Sequence, residues 1–332
     1  MIPERLRANI HETFRESLLA KIGVVLLILI LIMAIFAPLL APHHPAQQGY
    51  TDDQGQNLPP YGTTYNTTIA VEGEFTEVTI DGDREHLLGT NSLGQDVLSR
   101  FIYGARVSLL VGISGTILAL AIGVPIGLIA GYYRGRIDDG LMRLADTMLA
   151  FPALILALAL IGAFGEATLH LPDPIVLAGY ADGMPESTPF PIAVTVVVAL
   201  VTWVWFARVT RGEAIAIRNQ EYIKAARAMG ASDRRILLRH VLPNSVTPII
   251  VLATIQVAAI ILLESSLSYL GFSGTDLSWG FEIARGERDL RREWWIATVP
   301  GIGIVLSVIS VNLIGDWLRD ALDPNISGER GG

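Results

Sequence analysis

A chain of 332 residues that is 51% hydrophobic and only 17% charged is too apolar for an ordinary soluble domain, and the long apolar runs make it a membrane protein. It has no cysteine, which excludes disulfides, thiolate metal sites and cysteine nucleophiles. The formal charge of −8 reflects acidic residues concentrated in one segment and says little about partners.

Residues 1–21 carry Arg5, Arg7, Arg15 and Lys21 and precede an apolar run over 22–41 that ends near Pro42. A cleaved signal peptide would have a shorter apolar core and a small-residue cleavage site, so this run is expected to be a retained first span. Five further runs follow, at 107–130, 147–164, 190–207, 246–263 and 296–318. All reach or approach the roughly 20 residues that cross a hydrocarbon core. The third, fourth and fifth runs are short, open to being tilted, extended or broken by glycine and proline. Six spans from a cytoplasmic N-terminus put 17 of the 24 Lys and Arg residues inside, which gives both termini a cytoplasmic location.

Residues 42–86 form an external acidic insert. Within it, TTIAVEGEFTEVTIDGD alternates polar and apolar residues on both sides of Glu72-Gly73-Glu74, the pattern of a small β-hairpin. Asn66-Thr67-Thr68 matches a glycosylation sequon, and Asn325-Ile326-Ser327 matches one on the opposite side. His43-His44 could contribute to a metal site outside the first span, but a solvated pair is the better reading and no metal or cofactor is expected.

From His86 to Leu109 the chain reads HLLGTNSLGQDVLSRFIYGARVSL. Gly89 and Gly94 have phosphate-loop spacing, but Gln95 and Asp96 stand where lysine and a hydroxyl residue are needed, so nucleotide binding is not expected. Gly123, Gly127 and Gly131 recur every four residues in the second run and mark a face for close helix approach, which puts this span centrally in the bundle. Residues 140–151 suit a helix near the interface, ending where Phe151-Pro152 opens the third span. Residues 165–189, without Lys or Arg, form a second external loop, and Trp203, Trp205 and Phe206 close the fourth span as an aromatic belt.

The polar island from Arg208 to Asn244 is the most basic stretch, with Arg208, Arg211, Arg218, Lys224, Arg227, Arg234, Arg235 and Arg239. A helix is expected over 213–229, ended by a left-handed Gly230. Ser232 is placed to cap a second helix, with Asp233 in its first turn. Pro243 is expected to stop that helix and push Leu242 to an extended conformation. Ala225, Ala226 and Gly230 present small residues to an approaching surface.

Lys224-Ala225-Ala226, three residues, Gly230, nine residues and His240-Val241-Leu242-Pro243 resemble the EAA loop of ABC importer permeases, with Lys224 for the usual glutamate and His240 for the usual isoleucine. The resemblance implies an ATPase-coupling loop made of Glu221, Lys224, Ala225, Ala226, Gly230, Ala231, Ser232, His240, Leu242 and Pro243. The His86–Leu109 stretch resembles the signature before the second span of the C-type permease in dipeptide, oligopeptide and nickel importers, with Asn91 and Gln95 replacing its aspartate and arginine. Residues 267–280 and the closing Gly315–Pro324 segment are similar to the same family.

After Pro243, Glu264 and Ser265 lie in an apolar run. Glu264 is either part of the translocation path or gate, or a hydrated acid at the outer interface. Arg285 to Trp295 is expected to face a delivery protein outside.

The resemblance implies a six-helix, all-α polytopic fold of the type I ABC importer permease kind with a small external insert. Its segments are 1–21 (cytoplasmic), 22–41 (first helix), 42–86 (insert), 87–324 (permease domain with coupling loop 208–243) and 325–332 (tail). Implied partners are a second homologous permease, two ABC ATPase subunits, an external substrate-binding protein and the lipid bilayer, with no nucleic acid. The chain itself carries no phosphate loop, H-E-x-x-H or G-x-S-x-G motif, so ATP hydrolysis falls to separate subunits. The expected cargo is a dipeptide or oligopeptide. Alternatives are a nickel or metal-chelate importer of the same family and an ion-coupled secondary transporter, the latter opposed by the lack of an internal repeat.

Overall fold

A computed structural model describes residues 11–48, 57–71 and 74–322. Arg5 and Arg7, the Glu72-Gly73 turn, Asp323-Pro324 and the Asn325 sequon lie outside the described residues. The long elements are helices α1 (Leu18–Ile35), α3 (Val97–Tyr133), α7 (Ile192–Arg218), α10 (Leu242–Tyr269) and α12 (Trp294–Leu322). Between them lie α2 (Ala37–Leu40), α4 (Gly135–Leu149), α5 (Ala153–Phe164), α6 (Pro174–Leu177), α8 (Glu221–Ala228), α9 (Asp233–Ile236) and α11 (Trp279–Gly286).

Five stretches are long and apolar enough to cross a membrane, one of them formed by α9 and α10 together as Asp233–Tyr269. The third expected run, 147–164, takes in the last turn of α4 and all of α5, and these two helices are bent by 93°. The break falls at Phe151-Pro152, where the proline lacks an N–H and the preceding residue is pushed out of helix. The amphipathic α4 before that break covers most of the helix expected over 140–151, starting five residues earlier.

The core is organised by α3 against α7. A side chain at Gly123 would meet the Trp203 carbonyl at 2.3 Å, at Gly127 the Ala207 carbonyl at 2.3 Å, and at Gly131 the Arg211 carbonyl at 2.5 Å. Three glycines one turn apart thus lie on three carbonyls one turn apart, and only residues without Cβ permit that separation. This is the central packing expected of the second run. The same contact corrects the aromatic belt: Trp203 and Phe206 are buried against α3, and only Trp205, 48% exposed, faces outward.

By contrast, α1 is peripheral, with Leu18, Leu19, Val25, Ile28, Leu29 and Ile35 exposed. At Gly23 it comes close to α12, where a side chain would meet Leu313 Cβ at 2.8 Å and the Ser310 carbonyl at 3.1 Å. Such an apolar outer face matches a lipid neighbour.

The insert forms the expected hairpin, β1 (Thr64–Val71) antiparallel to β2 (Glu74–Asp81) with Thr64 opposite Asp81. A second hairpin that the sequence does not signal, β3 (Leu169–Pro172) with β4 (Ser187–Phe190), folds the 165–189 loop.

Candidate functional site

The island is a helix, a break, a helix, a glycine turn and a helix that runs on without stopping. Two of its boundaries differ from expectation. The helix expected over 213–229 is interrupted: α7 ends at Arg218, Gln220 is extended (φ −69, ψ 145), and α8 starts at Glu221. Nor does Pro243 end a helix. Leu242 is helical (φ −55, ψ −50), and residues 237–241 form a π turn in which the Leu242 N–H reaches the Leu237 carbonyl. Widening by one residue relieves the clash of a proline ring with the preceding turn, so the helix continues through Pro243 into α10.

Gly230 behaves as expected. Its φ is +81, the Gly230 N–H donates to the Arg227 carbonyl at 3.0 Å and the Ala231 N–H to the Ala226 carbonyl at 3.1 Å. This pair of bonds closes a Schellman turn. Ser232 stands at the N-cap of α9, but its side chain makes no capping bond. The neighbouring Asp233 carboxylate is committed elsewhere.

That commitment is to Tyr132, the buried hub of the site, at the end of α3. Its hydroxyl donates to Asp233 Oδ1 at 2.6 Å and accepts from Arg227 Nη2 at 2.9 Å. The guanidinium carbons of Arg227 and Arg218 lie 5.4 Å and 5.7 Å from the ring centre, within cation–π range. The Tyr132 hydroxyl raises the Arg227 guanidinium further above its already high range, so the cation is permanent. About two turns before Arg218 along α7, Arg211 grips Asp138 of α4 with two bonds, Nε to Oδ1 at 2.5 Å and Nη2 to Oδ2 at 2.7 Å. Arg208 pairs with Asp146, also of α4. Four of the eight basic residues of the island, Arg208, Arg211, Arg218 and Arg227, are therefore fasteners.

Beneath these polar ties, Ile223, Ile236 and Val241 are buried with Tyr132, Ala145, Ala214 and Ile217 in one apolar cluster. Ala226 turns inward too, so it is not available to an approaching surface, whereas Ala225 and Gly230 are exposed. Leu242 packs against the cluster, Ala231 and His240 are half-buried, and Ser232 and Pro243 are exposed. The outward face carries Met229 (83% exposed), Tyr222 and Leu238, with Arg234, Arg235 and Arg239 exposed around them. Glu221 and Lys224 form an exposed pair at 2.7 Å. The loop is thus fastened on one side and leaves apolar and basic side chains exposed on the other.

Glu264 is far from this face. It is fully buried between α3 and α10, accepting from Ser108 Oγ at 3.0 Å, Ser265 Oγ at 3.3 Å and Ser268 Oγ at 2.7 Å. A hydrated acid at the interface is therefore not what the structure has.

The 86–109 signature is a structural knot. Asn91 Oδ1 accepts from the Leu93 and Gln95 N–H groups, each at 3.0 Å, while Gln95 Oε1 accepts from Asn91 Nδ2 at 3.0 Å and Arg285 Nη1 at 2.9 Å. Buried Arg100 binds Glu282 of α11 at 2.6 Å and the Pro45 carbonyl at 2.8 Å. Arg106 donates to the Ala34 and Ile35 carbonyls at the end of α1, at 2.7 Å and 2.8 Å. Asp96 caps α3, accepting from the Ser99 N–H at 2.7 Å, and stands 3.0 Å from His86 Nδ1. The Asp96 hydrogen bond lifts His86 above its ordinary range; burial works to raise Asp96, but bonds from His86 and Ser99 hold it below the usual carboxylate range.

Sequence reasoning did not bring Tyr132 and Asp138 to the site, and read Asp233 only as a first-turn acid of the second helix. A signal existed: Tyr132 directly follows the glycine stripe, so it emerges where α3 leaves the bundle.

The family described as "Binding-protein-dependent transport system inner membrane component" matches residues 123–328, and "N-terminal TM domain of oligopeptide transport permease C" matches residues 8–60. The chain is 33% identical over 317 residues to the di/tripeptide transport system permease protein DppC of Pseudomonas aeruginosa, covering 95% of this chain and 91% of that protein. It is 35% identical over 322 residues to a putative peptide transport system permease protein of Brucella abortus, covering 96% and 90%. To the glutathione transport system permease protein GsiD of Escherichia coli O6:K15:H31 it is 33% identical over 331 residues, covering 98% and 94%. Among solved structures, an inward-facing conformation of the MetNI methionine ABC transporter matches with a TM-score of 0.50 at 16% identity, covering 68% of this chain and 97% of that one, a likeness of fold alone. The two matched regions, the relatives aligned over nearly the whole length and the helical architecture agree: the chain belongs to the binding-protein-dependent transport system inner membrane component family, as a multi-pass C-type permease with the type I ABC importer fold.

Proposed function

We propose that the chain forms half of the translocation pathway of an ATP-driven importer for dipeptides or oligopeptides. The relatives named above are permeases for di/tripeptides, peptides and glutathione, itself a tripeptide, and this supports peptide cargo over a metal chelate. In this reading the chain works with a second homologous permease, two ABC ATPase subunits and an external substrate-binding protein. Both termini and the island face the cytoplasm, and the 42–86 insert and the Arg285–Trp295 segment face outside.

The observation that carries the reading is the two-sided island. Its inner side is fastened to α3 and α4 through Tyr132, Asp138 and a buried apolar cluster, while Met229, Tyr222 and Leu238 project outward beside Gly230. An ATPase that grips this face moves the ends of two spans with it. The docking set is Glu221, Lys224, Ala225, Gly230, Ala231, Ser232, His240 and Pro243, with Ala226 and Leu242 holding it from below. Glu264 and Ser265 are the corresponding elements of the path or gate, since motion of α3 against α10 must strain their hydroxyl cage.

The chain has no cysteine, so Met229→Cys gives a single reactive thiol without further engineering. In the assembled complex it should cross-link to an ATPase subunit. Labelling of that thiol by a membrane-impermeant reagent from outside intact cells would overturn the reading.

A further inference from the structure

Where α2 runs out, the chain returns to the first turn of α3 and brings together three donors that are distant in sequence. His43, His86 and Asp96 place their ligand atoms within 4.8 Å of one another. Asp96 Oδ1 lies 3.0 Å from His86 Nδ1 and 3.9 Å from His43 Nδ1. His43 Nδ1 is itself buried and makes no hydrogen bond, although it sits beside a carboxylate. A buried ring nitrogen without a partner forgoes a bond that most such atoms make.

The spacing suits a metal. Four ligands about 2.0–2.1 Å from a tetrahedral cation stand roughly 3.3 Å from each other, between the two distances to Asp96, while the two imidazoles lie within the 4.8 Å span of the trio and would close on a bound ion. The donors are also fixed from behind. Ser99 Oγ donates to Asp96 Oδ2 at 2.7 Å and accepts from the His43 backbone N–H at 3.0 Å, so one hydroxyl orients both the carboxylate and the residue bearing the free imidazole. Outer partners of this kind set ligand orientation in metal sites. A cavity of about 290 Å³ opens onto the three residues and is also lined by Glu85, Gln47 and Gln48, leaving room for a water or a further oxygen ligand.

We infer that His43, His86 and Asp96 form a binding site for a borderline divalent transition-metal cation, of which Zn²⁺ is the representative, with the fourth position open. Two imidazoles and one carboxylate select such ions over Mg²⁺ and Ca²⁺, which take oxygen shells. The cation is a clamp resident in the fold. It joins the segment leaving the first membrane helix to the capped end of the second, and its binding displaces a proton from the His86–Asp96 pair.

The test uses the assembled complex, stripped with chelator and titrated with Zn²⁺ against a competing indicator dye. Wild type is expected to bind one more Zn²⁺ per permease chain than His43→Ala, which loses a ligand and whose affinity at that site should fall by more than the roughly 10–100-fold that loss of an outer partner costs. His44→Ala is the control: His44 Nδ1 accepts from the Ala46 N–H at 3.2 Å and lies outside the cluster, so binding should match wild type. X-ray absorption on the Zn²⁺-loaded complex should show imidazole in the first shell of the extra ion. Equal stoichiometry in wild type and His43→Ala, a first shell without imidazole, or equal competition by Mg²⁺ would each overturn the inference, and the trio would then be a helix cap alone. Because the readout is binding, it is independent of which solute the permease carries.

Discussion

The Tyr132 hydroxyl donates to Asp233 Oδ1 at 2.6 Å across 101 residues of sequence, joining the last turn of α3 to the first turn of α9. The bond makes the island continuous with the bundle. Tyr132→Phe keeps the ring, its burial and its cation–π contacts but removes both hydroxyl bonds. Loss of about 1 kcal/mol per bond is expected, read by hydrogen exchange as faster opening over residues 221–236 with the middle of α3 unchanged. Unaltered exchange there would show that the apolar cluster alone holds the island.

Gly230→Val addresses the turn. The site has open space around it but a φ of +81, so the obstacle is backbone strain and not a clash. A left-handed β-branched residue costs roughly 1–2 kcal/mol. Membrane insertion and yield should remain normal, while substrate-stimulated ATPase activity and uptake by the reconstituted complex fall together.

Gly127→Ala should have the opposite character. Its Cβ would lie 2.3 Å from the Ala207 carbonyl, a backbone atom that cannot swing away, and overpacking of this kind costs roughly 1–3 kcal/mol. Thermal unfolding in detergent should drop clearly, whereas Gly162→Ala, with nothing within 4 Å, should leave it unchanged.

Asp138→Asn breaks the two-pronged grip of Arg211. Arg211 is 36% exposed, so screening limits the loss to about 1 kcal/mol. The expected signature is weaker coupling of ATP hydrolysis to uptake at nearly normal abundance, and the exchange Arg211→Asp with Asp138→Arg should restore part of it.

Glu264→Leu leaves the hydroxyls of Ser108, Ser265 and Ser268 without their common acceptor. Each orphaned group costs roughly 1–3 kcal/mol, so the complex should lose stability. Glu264→Gln, which keeps an acceptor oxygen, should retain most of that stability and report on transport separately. If Glu264→Gln transports normally, the carboxylate charge has no part in the path.

The glycines at 123, 127 and 131 state their own packing, because residues without side chains at one-turn spacing have few other uses in a span. Gly230 likewise announces a left-handed turn. Pro243 misleads for a reason that local sequence cannot supply: a π turn before it, held by the burial of Ile236 and Val241, lets the helix absorb the ring. Trp203 and Phe206 look like interface anchors by position, yet their facing is decided by α3, 80 residues earlier in the chain. His43 and Asp96 become neighbours only once α2 folds back on the start of α3, a closure that pairwise motifs do not encode.

At 37 residues, α3 is about 55 Å long, and the island holds one end of it while the His86–Asp96 cap holds the other. Carbonyls of α7 nest along its glycines, so the two helices cannot slide past each other without prising apart their shared seam. If the island is pulled as proposed, α3 and α7 are expected to move as a pair, with Pro125 the weakest point of the α3 ladder and the contacts of the pair with α10 and α12 the places that yield.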